Sequence, residues 1–160
     1  MDELNEIRIC ELPDLRMLVS LMGTGESQTV DHMGERMKAW ADAHGLTARL
    51  GMRECLAYFD ERHHAFIFMR QLPEGFANTS PYQDIILKGG LEAVVSGERD
   101  HLVERYNAVL GWLRRNDRYE LDVTNGQWRH PALADWLTPQ EIHKRFDLEQ
   151  QDILIPIRLR

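Results

Sequence analysis

Hydrophobic and polar positions alternate with period two in Glu6-Ile7-Arg8-Ile9-Cys10-Glu11-Leu12, which predicts a strand. Pro13-Asp14 supplies a turn, and Arg16–Met22 is a more continuous apolar strand closed by Gly23 and Gly25. The period then changes to 3.6. Val30, Met33, Met37, Trp40, Ala41 and His44 form one helical stripe, with Thr29 as N-cap, Asp31 in the first turn and Gly45 as the stop. Two strands follow, Glu54–Phe59 and His64–Arg70, joined by the short polar link Asp60–His63 as in a hairpin. The loop Leu72–Pro81 is the expected boundary between halves.

The second half repeats the order. Asp84–Leu87 and Leu91–Val95 read as strands around a Lys88-Gly89-Gly90 turn. Ser96 is placed to cap a helix, with Glu98 and Asp100 in its first turn and Arg114 and Arg115 in its last, as the helix dipole favours. Its stripe is Leu102, Val103, Tyr106, Val109, Leu110 and Leu113. Tyr119–Val123 is the next strand, ended by Asn125-Gly126, and Trp128-Arg129-His130 is a short strand or edge. Thr138-Pro139-Gln140-Glu141 is a capping box that opens a short helix carrying Ile142 and Phe146 inward. Asp152–Leu159 is the last strand. Pro156 lacks an N–H, so an edge or a bulge is expected there.

Both halves read strand, turn, strand, helix, strand, strand. Leu12–Ser20 echoes Leu87–Ser96 more in pattern than in letters. The expectation is an α+β fold of duplicated ββαββ modules with mostly antiparallel sheet, forming one domain over 1–160 with pseudo-repeats 5–72 and 82–160. A groove between the halves is the expected place for a small-molecule pocket.

Composition narrows the class. In 160 residues, 43% are hydrophobic and 28% charged, enough to fill a core and too apolar for disorder. The net charge of −7 leaves no basic footprint for nucleic acid or an anionic membrane surface. No apolar run approaches the ~20 residues of a membrane span, and the acidic start lacks a signal-type apolar region. Cys10 and Cys55 read as small buried hydrophobes of a reducing cytoplasm, with a single disulfide or a reactive thiol as the alternative. The seven histidines show no metal-ligand spacing, no serine sits in a nucleophile elbow, and no phosphate loop is present. Neither metal nor cofactor is therefore expected.

The ordered set of segments resembles the GyrI-like effector-binding domain, found in AraC- and MerR-type multidrug transcription activators and also alone. The resemblance rests on Ile9–Met17 (strand, proline turn, strand), Gly89–Gly97 (glycine turn and strand), Leu102–Trp112 (helix with Tyr, Leu and Trp) and Asp152–Ile157, with its Ile-Pro-Ile ending. It spans nearly the whole chain and implies an aromatic-lined cleft in which acidic residues pair with lipophilic cations. Two positions depart from the family pattern. Asp152 stands where a Glu often precedes the last strand, and Arg129 replaces a Glu of a Phe-Glu-x-Tyr segment. Arg129 would either neutralise an acidic neighbour or favour an anionic or zwitterionic ligand.

The residues expected to line the ligand site are Tyr58, Phe68, Tyr106, Trp112 and Trp128 among the aromatics and Glu120 and Asp152 among the acids. Aromatics at strand or helix spacing also serve as core, and both acids have a solvent-facing reading. The expected function is binding of hydrophobic, aromatic compounds by a stand-alone sensor or sequestering protein, or by the effector domain of a regulator. In the latter, a DNA-binding domain would belong to a longer parent, since no helix-turn-helix precedes Ile7. The alternatives are an acyl or ester hydrolase, with Asp152 or Glu120 as base and Tyr106 or Tyr58 as donor, and a gyrase-binding inhibitor.

Overall fold

The apolar run Ile153–Ile157 near the end of the chain lies at the centre of the first of two compact units. The computed structural model describes residues 7–20, 36–37, 39–46, 56–60, 65–98, 101–123, 131–134 and 150–160. Within them lie β1 (Arg8–Leu12), β2 (Leu15–Ser20), β3 (Leu56–Asp60), β4 (Ala65–Gln71), β5 (Gln83–Leu87), β6 (Gly90–Glu98), β7 (Tyr119–Leu121), β8 (Ala132–Ala134) and β9 (Gln150–Leu159). One helix spans Leu102–Arg114, and residues 36–37 and 39–43 are also helical. The fold is α+β, and the strand pairs are antiparallel. The expected Trp128 strand and the Thr138 capping-box helix lie outside the described residues, as do Cys55 and the first helix's Thr29, Val30 and Met33. β8 lies two residues beyond Trp128-Arg129-His130.

Unit one comprises Met1–Asp14 and Lys88–Arg160, and unit two Leu15–Leu87. The cuts fall in the Pro13-Asp14 and Lys88-Gly89 segments. The loop Leu72–Pro81, expected as the boundary, thus lies inside unit two. The expected hairpin strands are paired: β3 and β4 run antiparallel with Asp60 opposite Ala65. β1 pairs with β6 and β2 with β4 and β5, so the Pro13-Asp14 and Lys88-Gly89-Gly90 turns join strands that are not paired with each other.

Unit one has the strand order β1-β6-β9-β8, with β7 also on β9. Ala93 and Val95 of β6 and Ile153, Ile155 and Ile157 of β9 pack with Val109 and Leu113 of the helix in one buried cluster. Val103, counted in the helical stripe, is instead 72% exposed. Ser96 is not a helix cap. It continues β6, and the helix starts after His101, which makes no side-chain capping bond. Consequently Glu104, rather than Glu98, is the acid of the first turn.

Pro156 shows why β9 tolerates an imino acid. The Asp122 N–H donates to Pro156 O at 2.9 Å, so this carbonyl points away from β6. In an antiparallel strand the N and O of one residue point to the same side. The ring nitrogen therefore faces the interval between β7 and β8, and the β6 ladder loses nothing. The ring cannot return a bond to Asp122, and the β7 ladder ends at Leu121. The expected edge exists only on that side; β9 itself is an interior strand.

Unit two has the order β3-β4-β2-β5. Leu18, Met37, Ala41, Leu46 and Leu72 form its helix-side core, with Trp40, Phe68, Phe76 and Tyr82 packed at the margin. Gly45 ends the helical stretch at φ +70°, where an L side chain is strained. Arg16 holds the loop by donating to Phe76 O at 2.6 Å while pairing with Asp84. Burial pushes the Tyr82 phenol above its ordinary value, against a smaller opposing effect of Arg36.

The two echoing segments meet in unit one. Asp14 Oδ1 accepts the Gly89 N–H at 2.8 Å, and Asp14 Oδ2 pairs with Lys88 Nζ at 2.8 Å. The Lys88 bond, then the Gly89 N–H, holds the Asp14 carboxyl below its usual value. A lowered folded-state value means the stabilisation is present above the unfolded carboxylate value near ~4 and is lost as pH falls through the folded one. Asp14→Asn should therefore lower the urea midpoint at pH 7, and the gap from wild type should narrow as pH falls below ~4. A series of denaturation curves from pH 7 to 2.5 measures this.

Candidate functional site

Period-two alternation gives the unit-one sheet two different faces. Ala93, Val95, Ile153, Ile155 and Ile157 go to the helix. Glu92, Val94, Ser96, Asp152, Leu154 and Pro156 therefore occupy the helix-free face. That face is buried: Val94 is 4% exposed, Leu154 3%, Glu92 6% and Asp152 5%. Asp122, 5% exposed, follows Leu121 at the end of β7, while its neighbour Val123 is 75% exposed. Three carboxylates thus lie buried in one unit, two of them beside aliphatic side chains on one sheet face. Burying an ionised carboxylate is costly unless it is paired or hydrogen-bonded.

Asp152 has its compensation in view. It stands opposite Ser96 in the β6–β9 register. The Ser96 hydroxyl donates to Asp152 Oδ1 in a short hydrogen bond. Arg8 Nη2 donates to Ser96 Oγ at 2.7 Å and lies 3.5 Å from Asp152 Oδ1. The chain of contacts runs from a side chain 42% exposed to one only 6% exposed. Glu92 stands between Cys10 of β1 and Pro156 of β9. Cys10 is a free thiol, half-buried.

The other expected site residues are dispersed. Tyr106 and Trp112 pack against the helix-side cluster, and Trp112 stacks on Tyr119 with ring centroids 6.2 Å apart. They lie on the opposite side of the sheet from Asp152, because the helical stripe that buries Val109 and Leu113 carries them to the same seam. Phe68 belongs to the unit-two core. Tyr58 pairs with Ile67 in the β3–β4 ladder, and Trp128, like Arg129, lies outside the described residues. Glu120 lies on an outer strand, where Arg158 Nη2 reaches Oε1 at 2.7 Å and Arg160 Nη1 reaches Oε2 at 3.8 Å. Two guanidinium groups thus already satisfy it. The acid–base pair expected of a hydrolase is not assembled by Asp152 with Tyr106, nor is Glu120 an open base.

Sequence reasoning missed Glu92 and Asp122. The signal for Glu92 was a single acid inside Leu91-Glu92-Ala93-Val94-Val95, a run apolar on both alternating sets and therefore buried on both faces. Asp122 carried no comparable signal. Among the described residues no three His, Cys, Asp or Glu side chains are placed to hold a metal ion. No described helix is long and apolar enough to cross a membrane.

Comparison with known proteins adds fold. No protein-family model and no curated protein matches the chain. Solved structures do. The C-terminal domain of EcmrR superposes with a TM-score of 0.62 at 14% identity, over 97% of this chain and 98% of that one. SAV2435 bound to tetraphenylphosphonium gives 0.59 at 12%, over 96% and 94%. A hydrolase from Listeria innocua gives 0.60 at 12%, over 94% and 91%. At these identities the likeness is one of fold, and it extends over nearly the whole chain.

Proposed function

We propose that this chain is a GyrI-like small-molecule-binding domain that takes hydrophobic, aromatic compounds against the helix-free face of unit one. It would act as a stand-alone sensor or as the effector domain of a regulator. The observation that carries the reading is the pair of buried carboxylates, Glu92 and Asp152, set beside Val94 and Leu154 on one sheet face. An apolar surface with a few placed polar groups is the chemistry of a small-molecule site. The shared fold of SAV2435, a protein seen with tetraphenylphosphonium, supports it, as does that of the EcmrR C-terminal domain. The hydrolase reading has a neighbour of the same fold, but Asp152 and Tyr106 lie on opposite sides of the unit-one sheet and Glu120 is paired with Arg158 and Arg160.

The test is a titration of the purified chain with N-phenyl-1-naphthylamine, a neutral aromatic dye that brightens in apolar surroundings. Saturable binding in the micromolar range is expected. Val94→Asp and Leu154→Asp should each weaken it at least about tenfold, by placing a charge on the apolar surface, equivalent to about 1.4 kcal/mol or more. A folded protein that leaves the dye dark at all concentrations would overturn the reading.

A further inference from the structure

We propose that Arg8 sets the charge preference of this site, turning it from lipophilic cations toward aromatic carboxylates. The inference rests on the binding reading above and specifies its ligand class. Arg8 Nη2 already lies 3.5 Å from Asp152 Oδ1 and donates to Ser96 Oγ, which itself donates to the same carboxylate oxygen. Asp152 is thus provided with a counter-charge by the protein. A permanent cation arriving at Asp152 must share the carboxylate with a fixed guanidinium, and two like charges at one acid repel.

The same guanidinium has capacity to spare. It carries five N–H donors in a planar fork. Among the described residues only Nη2 is engaged, and Nε and Nη1 make no hydrogen bond. With its side chain 42% exposed, the fork is reachable from solvent, while its far end is anchored to a buried acid through Ser96. A carboxylate fits such a fork through two parallel bonds. Val94, on the same face and paired with Arg8 in the β1–β6 register, is a buried apolar neighbour. An anionic head with an aromatic body matches this arrangement; a bulky onium ion does not.

The experiment compares wild type, Arg8→Gln and Arg8→Lys by calorimetry with three probes: 2-naphthoate, tetraphenylphosphonium and the neutral N-phenyl-1-naphthylamine. For Arg8→Gln, 2-naphthoate should bind about tenfold more weakly and tetraphenylphosphonium about tenfold more tightly, while the neutral probe is unchanged. Arg8→Lys keeps the charge without the fork. It should still disfavour tetraphenylphosphonium yet bind 2-naphthoate more weakly than wild type. A merely structural role for Arg8 would move all three probes together. If the neutral probe binds but the ratio of anion to cation affinity stays the same in Arg8→Gln, the inference about Arg8 is wrong and the binding reading stands. If no probe binds the folded wild-type chain, both are wrong.

Discussion

Gly89→Ala is expected to destabilise unit one by ~3 kcal/mol or more, a large fraction of the stability of a domain this size. A Cβ at position 89 would sit 2.0 Å from Leu12 O, 2.5 Å from Pro13 C and 2.7 Å from Pro13 O. All three are backbone atoms, which cannot swing aside as a side-chain tip can. They are also held in place. Leu12 closes the β1–β6 ladder opposite Gly90, and Asp14 binds Gly89 N and Lys88 Nζ just beyond. Relief therefore requires separating the two segments and losing those bonds. Urea denaturation should show a lower midpoint with a similar slope. Gly111→Ala is the control. No atom lies within 4 Å of a Cβ there, and the site is inside the helix, so that change should stabilise by ~0.5–1 kcal/mol.

Truncating Ile155 to alanine should cost about 3–4 kcal/mol. Ile155 is fully buried, stands opposite Ala93 and lies between Ile153 and Ile157 under the helix. Its neighbours belong to an interior strand, paired on both sides, and are poorly placed to collapse into the space. Leu159→Ala, four residues on but 57% exposed, should stay within about 0.5 kcal/mol of wild type. Thermal melts of the pair give the contrast directly. Loss of equal size at both positions would contradict the assignment of the core to the helix side of β9.

Much of this was legible in the chain. The alternation of Ile7–Leu12 and the apolar run within Asp152–Leu159 mark β1 and most of β9, and the stop at Gly45 is where the helical residues end at positive φ. Met37, Ala41, Val109 and Leu113 are buried as their 3.6 spacing requires. These features depend on neighbours within a few residues, and local chemistry decides them. Other readings failed for one common reason. Ser96 is as good a cap as a strand residue, and only the eight-residue register of β6 against β9 makes it the latter. Pro13-Asp14 turns the chain between β1 and β2, but nothing local tells that β1 finds its partner some eighty residues away in β6.

The site divides along the same line. Asp152 is a candidate from the sequence, but nothing local signals its burial or its links to Ser96 and Arg8, and Glu92 reads as an ordinary strand residue. Tyr106 and Trp112 have the chemistry of pocket residues, but packing places them on the other side of the sheet. Sequence by itself determined the kind of each segment, the stripes that must leave water and the residues that stop a helix, because these follow from backbone geometry and short-range contacts. Tertiary structure alone decided which strands pair, which face of the sheet holds the acids and which charge stands beside which. Those outcomes depend on groups far apart in the chain, brought together only when the apolar faces are buried.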